Sequence, residues 1–303
     1  MGWRILQLTK PCKLSVKNKQ LLYESDDNKT TFPIEDLSVV ILETGFAQLT
    51  GSLLSELAAN GVVLFACDQT HQPAGAFFPF HEHSRYAEIA HLQIAATEPL
   101  KKRLWQSIVQ QKIMNQASLL KLLGKNNSSE LQEIAKRVQS GDTDNREGYA
   151  AALYWKSLFE NFTRNDDASI INKSLNYGYA ILRGCVARNI VGTGLVPCFG
   201  IHHDNKLNQF NLVDDLIEPF RPFLDFIVAS TDFEGRTELT PQLKNKLVSI
   251  LIHNCNMGSE EISILKACEM SAESLAKAVR EKDSSLLKLP TLEKRPTIQA
   301  NEE

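Results

Sequence analysis

The sequence predicts an α+β chain, an amino-terminal β-sandwich-like domain with one embedded helix followed by an all-α domain. Three observations predict it. Up to about residue 80, short apolar runs alternate with turn-forming clusters. Pro73, Gly75 and Pro79 then punctuate a linker. Beyond it the sequence becomes rich in Leu and Ala with helical period. With 303 residues and 43% hydrophobic content, the chain is long enough to bury two cores.

In the first domain, strands are expected from Trp3 to Leu8, Lys13 to Lys17, Gln20 to Tyr23 and Val39 to Leu42, with a turn at Asp26-Asp27-Asn28-Lys29. Ser52 to Asn60 carries Leu53, Leu54, Leu57 and Ala58 at helical spacing and ends on Asn60-Gly61, a helix stop. Val62 to Cys67 returns as a buried strand. Helices are expected from about Ser84 to Ala96, Leu100 to Leu123, Ser129 to Ser140, Asp144 to Phe159, Ile170 to Asn189, Leu212 to Ala229 and Thr240 to Asn254, with a shorter pair after Ser259. Asp142-Thr-Asp-Asn145 supplies N-cap chemistry ahead of Arg146-Glu147. Residues 288–303 hold two prolines and little apolar period, and are expected to form a mobile tail. The division is therefore 1–80, 81–287 and 288–303.

No apolar run approaches the roughly 18 to 20 residues of a membrane helix, and the start of the sequence lacks a signal-peptide pattern, so a cytoplasmic protein is the default expectation. Six widely spaced cysteines without a C-x-x-C pair suggest buried thiols rather than a zinc ribbon or disulfide framework. The net charge of -3 does not announce a nucleic-acid binder, but its distribution is uneven. From Lys101 to Ser140, eight Lys or Arg face two Glu; from His202 to Thr240, eight Asp or Glu face three Lys or Arg. A basic face beside an acidic pocket suits a phosphate-backbone ligand handled at a metal-binding centre. A solvated helix face explains Lys101-Lys102-Arg103 equally well.

The acidic stretch is the densest in chemistry. Gly200 to Pro222 packs His202, His203, Asp214, Asp215, Glu218 and Arg221 into one segment. Clustered carboxylates lose hydration and repel unless a cation, a proton or a basic ligand offsets them. Asp215 and Glu218, three apart, share a helix face, and Pro219 and Pro222 kink or start a helix there. His203 with these carboxylates is a reasonable ligand set for manganese or magnesium. A surface acidic helix with capped ends fits the same spacing. Glu147 opens a small-residue helix and reads either as a presented carboxylate or as a first-turn Glu favoured by the helix dipole. His71, His81, His83 and His91 form a looser set without a completing carboxylate. Phosphate-loop, dinucleotide, nucleophile-elbow and H-E-x-x-H motifs are absent from the sequence, which disfavours nucleotide hydrolysis and serine-type acyl transfer.

Glu147-Gly-Tyr-Ala-Ala-Ala-Leu-Tyr-Trp155, Asn172-Lys-Ser-Leu-Asn-Tyr-Gly-Tyr-Ala-Ile-Leu182, Gly200-Ile-His-His203 and Asp215-Leu-Ile-Glu-Pro-Phe-Arg-Pro222, in that order and spacing, resemble the CRISPR-associated endonuclease family that acts as integrase in spacer acquisition. The Gly2-Trp3-Arg4 opening and Ala59-Asn-Gly-Val-Val63 resemble its type II branch. The resemblance implies a β domain joined to a helical catalytic domain. It implies a site of Glu147, His203 and Glu218 with Asp215 as auxiliary ligand, and Mg2+ or Mn2+ as the ion. It implies transesterification by a DNA 3′-hydroxyl at the repeat boundary of a CRISPR array, with nuclease activity when water replaces the hydroxyl. Partners implied are double-stranded DNA, both prespacer and CRISPR repeat, a second copy of the chain as homodimer, and a small ferredoxin-like CRISPR-associated protein completing a heterohexamer. Arg221, Lys206, Arg85, Lys101, Lys102 and Arg103 are the candidates for phosphate contact. A non-catalytic DNA-binding scaffold of the same fold and a metallohydrolase of small phosphoesters are the competing classes.

Overall fold

The computed structural model describes residues 4–26, 28–69, 73–77, 79 and 84–297. Its strands begin with β1 (Arg4–Leu8), β2 (Cys12–Lys17), β3 (Gln20–Glu24), β4 (Lys29–Pro33), β5 (Leu37–Leu42) and β6 (Ala47–Leu49). Helix α1 (Gly51–Ala59) leads into β7 (Val63–Cys67) and β8 (Pro73–Phe77). Thr50 caps α1 by accepting from the Leu53 amide, so the helix starts one residue before the expected Ser52. One sheet runs β1-β5-β7-β8, parallel except for β8, and the other β4-β3-β2-β6, antiparallel except where β2 meets β6.

The wholly apolar character of Val39 to Leu42 has a structural cause. Strand β5 is central and covered on both faces, so its side chains need no polar alternation. Val40 and Leu42 join Leu14, Leu21, Leu53 and Leu57 between the two sheets and α1. Val39 and Ile41, pointing the other way, join Val63 and Phe65 in the core of the helical part. A buried ionic cluster reinforces that junction: Glu43, just past β5, accepts from Tyr177 Oη at 2.8 Å and Lys244 Nζ at 3.0 Å.

The helical part comprises α2 (Tyr86–Ile94), α3 (Glu98–Leu122), α4 (Ser128–Lys136), α5 (Arg146–Leu158), α6 (Ile170–Gly192), α7 (Asn211–Leu216), α8 (Arg221–Ala229) and α9 (Pro241–Val248). Strands β9 (Asn254–Met257) and β10 (Glu260–Ser263) and helix α10 (Ile264–Glu281) complete it. Three expectations are revised. The single helix expected from Leu212 to Ala229 is interrupted by a 3-10 turn at Glu218–Phe220, because Pro219 and Pro222 cannot donate to the helical ladder. The helix expected to reach Asn254 stops at Val248, and the pair expected after Ser259 is an antiparallel β9–β10 hairpin and one long helix. Cys255 and Met257 are buried alternately with Asn254 and Asn256, a strand period that helical counting overlooked. The third concerns residues 288–297. Leu292 is only 2% exposed, Asn115 donates to Pro290 O at 2.9 Å and accepts from the Leu292 amide at 3.1 Å, and Thr291 pairs with Asn256. Apolar anchors hold this stretch to the body without regular period. Among the described residues, no helix is long and apolar enough to cross a membrane.

Candidate functional site

Helix α3 is the axis on which the site is built. Leu100, Leu104, Ile108, Lys112, Gln116 and Leu120 form one i+4 ridge, and Lys112 is its one charged member. Around Lys112 two carboxylates converge from different elements. Its Nζ lies 2.6 Å from Glu147 Oε1 and 2.5 Å from Glu218 Oε2, the latter off the hydrogen-bonding direction. Burial pulls the Lys112 ammonium's pKa down, but Glu218 and Glu147 outweigh it and the net shift is upward.

Each carboxylate is placed by local structure. Asn145 caps α5 by accepting from the Gly148 amide at 3.2 Å, while Asp142 accepts from the Arg146 amide at 2.8 Å and the Glu147 amide at 3.0 Å. A Cβ on Gly148 would stand 2.7 Å from the end of the Asn145 side chain, so any larger residue there would push the cap aside. Glu218 opens the 3-10 turn, 6% exposed, and accepts from Arg221 Nε at 2.8 Å. Burial alone would raise its pKa, yet Arg221 and Lys112 hold it down at about 2. Asn115, one turn past Lys112, donates to Pro219 O at 2.8 Å and ties the 3-10 turn to α3.

His203 comes from the loop before α7. Buried Asp215 accepts from the amides of Ile201 (2.6 Å), His202 (3.1 Å) and His203 (3.1 Å), and pairs with His203 Nδ1 at 2.6 Å. A carboxylate only accepts, so the proton in that bond belongs to Nδ1 and the lone pair of the neutral ring is on Nε2. The bond to Asp215 raises the His203 pKa against the opposing effect of burial, and the charges of Glu218 and Glu147 add to the rise. Gly200 makes the loop possible: a Cβ there would come 2.1 Å from His203 O. Trp105, two turns before Lys112, stacks on His202 with centroids 4.3 Å apart and meets His203 edge-on at 5.8 Å.

Glu147, His203 and Glu218 are thus brought into one electrostatic neighbourhood. Among the described residues no group of three or more His, Cys, Asp or Glu is drawn close enough to hold a metal ion as it stands, because Lys112 takes up the convergence point and His203 is turned to Asp215. The donor chemistry nevertheless fits a divalent cation: two carboxylates already close on a single cationic atom, and an imidazole with a free Nε2 adjoins them. Asp215 has both oxygens committed to the 201–203 loop and His203, which sets it behind the histidine.

The phosphate-contact candidates are dispersed. Lys206 is exposed on the loop after His203, Arg85 is exposed ahead of α2, and Lys102 and Arg103 are exposed on α3. Lys101 is half-buried beside Glu98. Arg221 differs: its guanidinium binds Glu218 and lies 4.5 Å from the Tyr179 ring centroid. His91 is exposed on α2, while His71, His81 and His83 lie outside the described residues. Sequence reading missed Lys112, Trp105 and a buried cluster of Asp225, Tyr154 and Tyr179. Lys112 had a signal, a cation on an otherwise uncharged ridge; Asp225 had one too, as an acid within the apolar run of α8.

The family model for CRISPR associated protein Cas1 matches residues 6–234. The chain is 41% identical over 296 residues to the CRISPR-associated endonuclease Cas1 of Neisseria meningitidis serogroup C (strain 8013), covering 96% of this chain and 97% of that one. Its fold is shared with a casposase bound to integration product, at 19% identity and a TM-score of 0.77, with 93% of each chain covered. It is shared also with a chain of a Cas6-RT-Cas1–Cas2 complex, at 19% identity and a TM-score of 0.72, covering 94% of this chain and 36% of that one. The motifs read from Glu147 to Pro222 all fall inside the matched region, and the chain belongs to the CRISPR-associated protein Cas1 family.

Proposed function

We propose that this chain is a metal-dependent DNA endonuclease and integrase that inserts short foreign DNA fragments into a CRISPR array, with Glu147, His203 and Glu218 as its catalytic and cation-holding residues. The observation that carries this reading is the convergence of Glu147 and Glu218 on one cationic atom beside His203. The extensive identity to an endonuclease of the same family supports it. Magnesium or manganese, when bound, supplies Lewis-acid activation of a hydroxyl and neutralises charge at a phosphate.

The protein's own residues do the rest. Glu147 and Glu218 offer carboxylate oxygens, the latter with its pKa held down by Arg221 and Lys112, and His203 offers Nε2 because Asp215 engages Nδ1. Asp215 therefore acts by orienting the histidine. Arg221 acts by holding Glu218, while Lys206, Arg85, Lys101, Lys102 and Arg103 position the DNA backbone. In joining, the 3′-oxygen of the incoming fragment bonds to phosphorus at the repeat boundary as the bond from that phosphorus to the existing 3′-oxygen breaks. The attacking hydroxyl gives up its proton and the departing oxygen takes one up. With water as the attacking group the same exchange is hydrolysis, the endonuclease activity. Residues 1–80 pair two copies of the chain and residues 81–287 carry the chemistry. A small ferredoxin-like protein completes a heterohexamer in this reading, which the Cas1–Cas2 complex among the similar folds supports.

Lys112 favours a second reading, a DNA-binding scaffold whose acidic site is neutralised from within. One assay separates the two: manganese- or magnesium-dependent joining of a short duplex with 3′-hydroxyl ends into repeat DNA. The integrase reading expects Glu147→Ala and His203→Ala to lower joining by about a thousandfold while duplex binding persists. Duplex binding by the wild type with neither joining nor cutting, its partner present, favours the scaffold. Full activity in both variants removes the proposed centre.

A further inference from the structure

The two carboxylates that close on Lys112 are each followed, seven residues on, by a member of a second clip. Glu147 and Tyr154 share a face of α5, two turns apart, and Asp225 follows Glu218 by the same interval along the run that becomes α8. Tyr154 Oη donates to Asp225 Oδ2 at 2.7 Å, and Tyr179 Oη from α6 donates to Asp225 Oδ1. The element bearing Glu147 is therefore joined to the element bearing Glu218 twice, once through Lys112 and once through Asp225. A further route runs from Asp225 through Tyr179 to Arg221, whose guanidinium lies against the Tyr179 ring and donates to Glu218.

A carboxylate 1% exposed among apolar helices is costly unless its hydrogen bonds are made. Apolar packing alone tolerates small slides of one helix past another, whereas paired directional bonds to one carboxylate admit a single register. We infer that Asp225, with Tyr154 and Tyr179, is a positioning residue that sets how Glu147 and Glu218 face one another, and so how tightly the site takes a divalent cation. This rests on the cation-holding role proposed for those glutamates.

Calorimetric titration of the full chain with Mn2+, alongside its unfolding midpoint, tests the inference. Tyr154→Phe is expected to weaken Mn2+ binding about tenfold or more, the scale found when outer partners of metal ligands are removed. Tyr179→Phe, which keeps its ring beneath Arg221, moves it in the same direction. Tyr177→Phe is the control: its hydroxyl is also buried and gives up a bond to Glu43, away from the site, so stability falls while Mn2+ affinity stays within about twofold. Wild-type Mn2+ affinity in Tyr154→Phe and Tyr179→Phe, or an equal loss in Tyr177→Phe, overturns the inference. Glu147→Ala separates the levels. If it binds Mn2+ as the wild type does, the cation-holding reading fails and takes this inference with it; if it loses binding while the tyrosine variants keep theirs, this inference alone fails.

Discussion

Asp215 and Asp225 are both buried carboxylates, and their surroundings give them opposite tasks. Asp215 accepts three backbone amides and the His203 ring, so its charge is consumed in shaping a loop. Asp215→Ala leaves those partly buried donors unmet; a loss of about 2 kcal/mol in chemical denaturation is expected, with joining activity reduced about 10- to 100-fold beyond what the unfolded fraction explains. Activity per folded molecule equal to the wild type would refute the orienting role. Asp225 has fewer compensations. Burial raises its pKa from 3.8 to about 6, against the opposing pull of the Tyr179 and Tyr154 hydroxyls and of Arg221 and Arg164. A carboxyl raised on folding holds its proton more tightly in the folded chain, so its stabilising contribution is complete below pH 3.8 and is lost as pH rises through about 6. Asp225→Asn carries no such dependence. The melting temperature of the variant relative to the wild type is therefore expected to rise by several degrees between about pH 5 and about pH 8. A pH-independent difference would show that Asp225 does not titrate in that window.

At the scale of elements, α3 is the organiser. Along its length it presents Trp105 to the His202–His203 loop, Lys112 to the two glutamates and Asn115 to the 3-10 turn and the carboxy-terminal stretch. That last contact changes what residues 288–297 are. Deleting everything after Leu287 removes Leu292 from the core and leaves Asn115 without Pro290 O and the Leu292 amide. A fall of several degrees in melting temperature is expected, where loss of a mobile tail would leave it unchanged. This stretch was illegible in sequence because Leu289 and Leu292 dock through individual side chains, with no period to detect. The β9–β10 hairpin was hidden for a related reason: four-residue strands show at most two alternations. By contrast, α1, α5 and α6 carry full helical faces, the first two with capping residues, and these were legible to within two or three residues.

For the molecule as a whole, the β-rich part does more than flank the helices. Strand β5 places Val39 and Ile41 in the helical core, and Glu43 receives Tyr177 and Lys244 at the junction. The family was legible in compact, ordered motifs, and those motifs contain Glu147, His203, Asp215 and Glu218, which the fold draws into one neighbourhood. Lys112 carries only the weak signal of a lone cation on an uncharged ridge, and its position between two acids is a property of three elements together. It also supplies the sharpest test. The central claim is that Glu147, Glu218 and His203 hold one divalent cation when Lys112 yields its place. A crystal soaked in Mn2+ and measured at a wavelength where manganese scatters anomalously is predicted to show a peak within coordination distance of all three side chains, with Lys112 Nζ withdrawn from both carboxylates. Saturating Mn2+ with no peak there, and Lys112 still bridging Glu147 and Glu218, would contradict the account.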